Sequence, residues 1–251
     1  MWLTFLGTRG EIDIRSRRHR RHSALLIEHD GSRIMLDCGA DWRRRFSAVA
    51  PTTILLTHAH PDHAGGLADG APCAVYATRE TLDLLRSFPI HDRRRIRPGR
   101  PLTIGRLRFT AFPVRHSIRA PAVGYRVSTK AGCFFYVPDV AAPPEAPRAL
   151  AGVDVYVGDG ATMRRSMVRR KNGTVIGHAS IEAQLGWCKK TGIRRAIFTH
   201  CGSSLVRPRS RELNARLRQL GQEYDIDVRV ACDGDRIYFP GSSDGAPLAG
   251  H

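Results

Sequence analysis

The sequence predicts an α/β protein whose strands end along one chemically active edge. Two observations carry that reading. The apolar run Thr53-Ile54-Leu55-Leu56 leads straight into Thr57-His58-Ala59-His60-Pro61-Asp62-His63, which packs four metal-capable side chains into six residues. Five apolar runs also end in a metal-capable or acidic side chain: Ile34–Leu36 into Asp37, Ile54–Thr57 into His58, Phe134–Pro138 into Asp139, Val155–Gly158 into Asp159, and Ala196–Thr199 into His200. His116 lies just past a sixth run, Leu107–Val114. Strands of one sheet system that all end this way line up their last side chains along one edge, where α/β proteins build sites.

In chain order, residues 2–6 read as a strand that turns at Gly7-Thr8-Arg9-Gly10. The basic loop Arg15-Ser16-Arg17-Arg18-His19-Arg20-Arg21-His22 follows. Residues 23–28 and 33–37 form a hairpin around Asp30-Gly31. A short helix is expected over 41–49, stopped by Pro51. In the His-rich stretch, His58 and His60 are two apart, so an extended backbone points both the same way. Pro61 then turns the chain, and Asp62 and His63 aim at a second point nearby. Residues 73–76 read as a strand, and 78–87 as a helix with Thr78 as N-cap and Leu82, Leu84 and Leu85 as its apolar stripe.

Strands follow near 101–104 and 107–114, then a hairpin of 123–127 with 133–137, and a strand over 153–157. The basic loop Arg164 to Lys171 leads to Gly177-His178. Helices over 179–191 and 209–220 flank a strand at 194–199, and strands at 228–231 and 236–239 close the fold. A single domain over 1–240 is expected, and the Gly/Ser-rich stretch 241–251 reads as a disordered tail.

Composition narrows the class. The chain has 251 residues, 42% hydrophobic and 25% charged, enough for a real core and typical of a globular protein. No apolar run approaches the ~20 residues of a membrane span, so a membrane partner is not expected. Trp2–Leu6 is too short for a signal segment, and a cytoplasmic location is expected. The six cysteines are scattered with no C-x-x-C pair, which fits reduced, mostly buried thiols. The net charge of +17 fits an anionic substrate, with nucleic acid as a candidate partner; a homodimer is a candidate assembly independent of that charge. An Arg-rich surface of no specific use would give the same number.

The assembled motifs resemble those of the metallo-β-lactamase superfamily over nearly the whole chain: Leu3-Thr4-Phe5-Leu6-Gly7-Thr8, Leu36-Asp37-Cys38-Gly39, His58-Ala59-His60-Pro61-Asp62-His63, the lone His116, Asp139 and His200. The resemblance implies an αββα sandwich with two mixed sheets and two divalent metal ions at one sheet edge. By matching motif positions, His58, His60 and His116 would hold one ion, and Asp62, His63 and His200 the other. Asp139 would bridge them, with water or hydroxide between. Asp62 would also serve in catalysis, and Asp37 would orient the loop or a ligand imidazole. Imidazole and carboxylate donors suit Zn²⁺ first, and Mn²⁺ or Fe²⁺ as well.

Val157-Gly158-Asp159-Gly160-Ala161-Thr162 with Gly177-His178-Ala179-Ser180 resembles the paired acid and His motif of the RNase Z group and of small cyclic phosphodiesterases. By that likeness His178 is the general acid and Asp159 its orienter. The chain departs from RNase Z in placing the acid one position earlier, with Gly160 where Glu is usual. It also lacks a Gly/Pro-rich extension between His63 and His116. A compact phosphodiesterase acting on a small, cyclic or single-stranded phosphorylated substrate is therefore expected, with Arg17, Arg18, Arg20 and Arg21 as candidate phosphate contacts. Lactone or thioester hydrolysis at the same centre is the alternative enzyme class. A nucleic-acid-binding protein that keeps the fold is the alternative outside enzymes.

Overall fold

A computed structural model describes residues 1–207 and 210–239. Its framework is two seven-stranded mixed sheets packed face to face. The first contains β1 (Trp2–Gly7), β2 (Ala24–His29), β3 (Ser32–Leu36), β4 (Thr53–Leu55), β5 (Ala74–Ala77), β6 (Arg93–Arg95) and the late strand β16 (Arg236–Tyr238), in the order β16-β1-β2-β3-β4-β5-β6. The second contains β7 (Pro101–Ile104), β8 (Leu107–Val114), β9 (Ala122–Thr129), β10 (Gly132–Tyr136), β11 (Val155–Asp159), β14 (Arg195–Thr199) and β15 (Asp227–Val230), ordered β15-β14-β11-β10-β9-β8-β7. A separate hairpin pairs β12 (Arg169–Lys171) with β13 (Thr174–Ile176).

Alternation along the strands sorts side chains into layers. Leu3, Phe5, Ile27, Ile34, Leu36 and Leu55 point into the core between the sheets, where they meet Phe109, Tyr125, Phe134, Tyr136 and Val157. The alternate residues Phe135, Tyr156 and Phe198 point outward under α3 (Ile181–Thr191), α4 (Ser203–Val206) and α5 (Ser210–Tyr224). Ile54 and Val75 point to the opposite outer face, near α1 (Pro61–Ala64) and α2 (Arg79–Leu84). Each such aromatic or aliphatic side chain stabilises the fold by roughly 1.5–3 kcal/mol. This is the expected αββα sandwich, with rather little helix on the first sheet.

Cap chemistry fixes the helix ends. The Thr78 side chain accepts from the Thr81 amide, the Ser180 side chain from the Ala183 amide, and Gly192 (φ 76°) terminates α3. The helix expected over 41–49 is instead two short 3₁₀ turns, Ala40–Trp42 and Phe46–Ala48. Arg43 is extended (ψ 126°) and Arg44 left-handed (φ 58°), which breaks the hydrogen-bond ladder between them. At the end of α2, the capping Leu85 is buried but Leu84 faces solvent, so the apolar stripe is narrower than expected. The strand β6 and the β12–β13 hairpin appear where only loop was expected.

All six cysteines are free, and five are buried. Among the described residues no helix is long and apolar enough to cross a membrane. The expected tail, 241–251, lies outside the described residues.

Candidate metal centre

The strand ends meet where the sequence pattern places them. Asp37 follows β3, the loop after β4 carries His58, and α1 carries Asp62 and His63. His116 follows β8, Asp139 follows β10, Asp159 ends β11, and His200 follows β14. Asp37 (φ 59°) and His200 (φ 53°) adopt left-handed backbone just past their strands. Such conformations cost energy in residues other than glycine and concentrate at functional sites.

The expected ligand sets are each brought together. His58, His60 and His116 present ring nitrogens to one point, with His58 Nε2 at 3.0 Å and His116 Nε2 at 3.2 Å from His60 Nδ1. Asp62, His63 and His200 face a second point, with Asp62 Oδ2 at 2.9 Å from His200 Nε2 and 3.3 Å from His63 Nε2. Asp139 stands between them, its Oδ2 at 3.6 Å from His58 Nε2 and 2.6 Å from His63 Nε2. Ligand atoms at zinc-like distances of about 2.0–2.1 Å in a tetrahedron lie about 3.3 Å from one another, close to these spacings.

The hydrogen-bond inventory supports a cation here. His63 Nε2, His200 Nδ1 and both oxygens of Asp139 are buried without a hydrogen bond of proper geometry, although they crowd one another. Buried polar atoms are seldom left so, and a cation between them would satisfy them.

Electrostatics agrees. Burial, together with the neighbouring His63 charge, holds His58 well below its ordinary pKa, and burial pushes His116 down to about 4. Both are therefore neutral donors at pH 7, as metal ligation requires. Burial opposes charging His63 and His200 as well. Asp62, Asp139 and Asp37 nevertheless raise His63, while Asp139, Asp159 and Asp62 bring His200 to about 9. Buried carboxylates draw protons onto these rings, and divalent ions would take the protons' place.

Asp37 anchors the arrangement. It accepts from His63 Nδ1 at 2.9 Å, from the Thr57 amide at 2.8 Å, and from the hydroxyls of Thr57 and Tyr136. With Nδ1 engaged, His63 presents Nε2 to the cluster.

Asp139, Asp159, His178 and His200 form a further group. Asp159 is fully buried and accepts from the Val140 amide at 3.0 Å, the Ala161 amide at 2.9 Å and His178 Nδ1 at 2.8 Å. Burial of the His178 ring works against its charge, but Asp159 and Asp139 outweigh it and raise its pKa to about 11. The ring also lines a cavity of about 780 Å³ together with His60, Asp62, His116, Asp139 and His200.

The basic loop lies elsewhere. Arg17 and Arg18 line a separate cavity beside α5, and Arg18 Nε donates to Cys232 Sγ. Arg21 stacks over Trp42, and the amides of Arg20 and Arg21 donate to Asp233. None of Arg17, Arg18, Arg20 and Arg21 lines the metal-side cavity among the described residues; Arg165 and Arg169 do. The sequence reading missed these two, although Asn172-Gly173, the turn of the β12–β13 hairpin, is a recognised hairpin signal. Cys201 is buried and joins none of the ligand groups among the described residues.

A two-sheet αββα sandwich with an imidazole–carboxylate cluster at one sheet edge defines a protein of the metallo-β-lactamase fold. The chain belongs to the beta-lactamase superfamily, whose domain model matches residues 32–201. Ribonuclease Z of Methanopyrus kandleri is 30% identical over 145 residues, 51% of this chain. That match spans 50% of the relative, so the chain corresponds to about half of its length. Among solved structures, a diphosphatase from the PhnP family superposes with TM-score 0.72 at 22% identity, covering 94% of this chain and 96% of that one. Zn²⁺-bound PqqB from Methylobacterium extorquens gives TM-score 0.72 at 20% identity, covering 95% and 100%.

Proposed function

We propose that the chain is a metal-dependent hydrolase of phosphodiesters. The observation that carries this reading is the Asp159–His178 pair beside the metal cluster. Hydrolysis of a thioester at such a centre needs no dedicated proton donor, because a thiolate leaves without one. A phosphodiester does, because its leaving alkoxide must be protonated. The names of the relatives point the same way, being those of a ribonuclease and a diphosphatase.

His58, His60 and His116 would hold one divalent ion, and Asp62, His63 and His200 the other, with Asp139 reaching both; Zn²⁺ suits these donors best, and Mn²⁺ or Fe²⁺ also fit. When bound, such ions activate water for attack at neutral pH and neutralise charge on the phosphate. The chain's own residues do the rest. Asp37 holds His63 in orientation, and Asp62 sets the direction of approach beside His200. Asp159 fixes His178 through Nδ1, leaving Nε2 with no partner in the chain among the described residues. As the water oxygen joins phosphorus and the bond to the leaving oxygen breaks, His178 gives that oxygen its proton.

The test compares the wild type with His178→Ala, both loaded with Zn²⁺ or Mn²⁺. The wild type hydrolyses bis(p-nitrophenyl) phosphate. The variant keeps its metals but loses about 10²–10⁴-fold on a diester with a poor leaving group. Unchanged turnover on that diester would remove His178 as the proton donor and move the reading towards the thioester class.

A further inference from the structure

We infer that Arg165 and Arg169 form a subsite for a second phosphate, carried by the leaving side of the substrate. The inference rests on the phosphodiesterase reading above and adds the class of substrate. Both arginines line the metal-side cavity, and neither forms an ion pair among the described residues. Their neighbour Arg164 is already engaged with Glu182 and Glu223, and Arg115 with Glu145. Two unneutralised guanidiniums at the mouth of a concave site attract an anion.

Position decides which part of the substrate they meet. β12 pairs with β13 so that Arg169 lies opposite Ile176, and Gly177-His178 follows directly. The loop before β12 is fastened to the same place, because the Met167 amide donates to the His178 carbonyl at 3.1 Å. Gly177 makes this closeness possible. Its φ is 105°, and a Cβ there would lie 2.2 Å from the Met167 carbonyl oxygen. The hairpin is thus tied to the proposed proton donor, and its arginines stand on the side from which the leaving group departs. Glu11, the one lining acid outside the metal cluster and the Asp159–His178 pair among the described residues, lies instead near Asp62 and His200. The cavity, about 780 Å³, has room for a ligand well beyond one phosphodiester group.

A leaving side with its own phosphate occurs in diphosphate esters and in oligonucleotides. The experiment uses Zn²⁺-loaded wild type, R165A/R169A and R165K/R169K. Three substrates are compared: bis(p-nitrophenyl) phosphate, ADP-ribose as the diphosphate, and a dinucleotide phosphorylated at both ends. Binding of adenosine 3′,5′-bisphosphate is measured separately by calorimetry.

The expected result is that kcat/KM for ADP-ribose or the dinucleotide, relative to bis(p-nitrophenyl) phosphate, falls about tenfold for each arginine lost. Lysine restores part of it, and whichever substrate shows the fall identifies the source. Bisphosphate binding weakens in parallel, and its salt dependence becomes shallower by about one unit of slope per arginine. An unchanged ratio with unchanged bisphosphate affinity would overturn the subsite while leaving phosphodiester hydrolysis standing. Arginine-dependent bisphosphate binding in a protein that hydrolyses none of the three substrates would support the subsite and overturn the hydrolase reading.

Discussion

Asp37 and His63 are locked together inside the fold, the carboxylate accepting from Nδ1 at 2.9 Å with both side chains fully buried. The contact joins the end of β3 to α1 and fixes which nitrogen of His63 faces the cluster. Asp37→Asn keeps the size of the side chain but weakens this grip, since the amide can turn its NH₂ towards Nδ1. Metal affinity is expected to fall about 10–100-fold, read by competition with a chromophoric chelator. Unaltered affinity in a folded variant would show that the Asp37 charge does not set how His63 faces the cluster.

The unpartnered atoms of His63, His200 and Asp139 predict that metal ions stabilise the native state. About two Zn²⁺ or Mn²⁺ per chain should be found by elemental analysis. Chelator treatment should lower Tm, and resupply should restore it. An ion present at 100 times its Kd stabilises by about 2.7 kcal/mol, so the shift should be plain in a thermal scan. Equal Tm with and without metal would refute a filled site.

Much of this centre was legible in the sequence because strand ends are local. An apolar run followed by His or Asp needs only a sheet to bring its last side chain to the edge, and all six such runs do so. Asp37 was legible for the same reason. The basic loop was not, because its path is set from far away. Asp233, more than two hundred residues along the chain, accepts from the amides of Arg20 and Arg21 and from Thr8, and Asp41 holds the buried Arg9. These contacts turn the loop's arginines towards α5 and Trp42. The β12–β13 hairpin escaped because its strands are three residues each, β12 is exposed and neither shows apolar alternation, so Asn172-Gly173 was the one local sign. The interrupted helix at 41–49 turned on the left-handed Arg44, which side-chain pattern does not reveal.

That same N-terminal loop gives a pH prediction. Burial, and then the charge of Arg18, hold His19 down to about 4, while its Nδ1 bonds Thr8 Oγ1 at 2.8 Å. A histidine with a folded pKa below its unfolded 6.5 contributes stability that is fully present above pH 6.5. That stability is lost as pH falls towards 4, because the unfolded chain binds the proton first. The contribution is on the order of 3 kcal/mol, from 1.36 kcal/mol per pKa unit. Urea unfolding of metal-free wild type and His19→Asn should therefore differ less at pH 4.5 than at pH 7. A difference independent of pH would mean that His19 acts by packing alone.

Asp159 predicts a dependence on the leaving group. Its two oxygens serve the Val140 amide, the Ala161 amide and His178 Nδ1 at once. Asp159→Asn removes the charge that keeps His178 protonated and must place an NH₂ against one of those donors. The first effect weakens proton delivery, and the second costs about 1–3 kcal/mol of stability for a buried unsatisfied group. A p-nitrophenolate leaves readily unprotonated, so bis(p-nitrophenyl) phosphate should lose little turnover beyond what altered folding explains. A diester of a nucleoside alcohol, whose leaving oxygen needs its proton, should lose about 10²–10⁴-fold. A plot of log kcat against leaving-group pKa should therefore steepen in the variant. Parallel lines would mean that the Asp159 side chain holds the Val140 and Ala161 amides but has no part in protonating the leaving group.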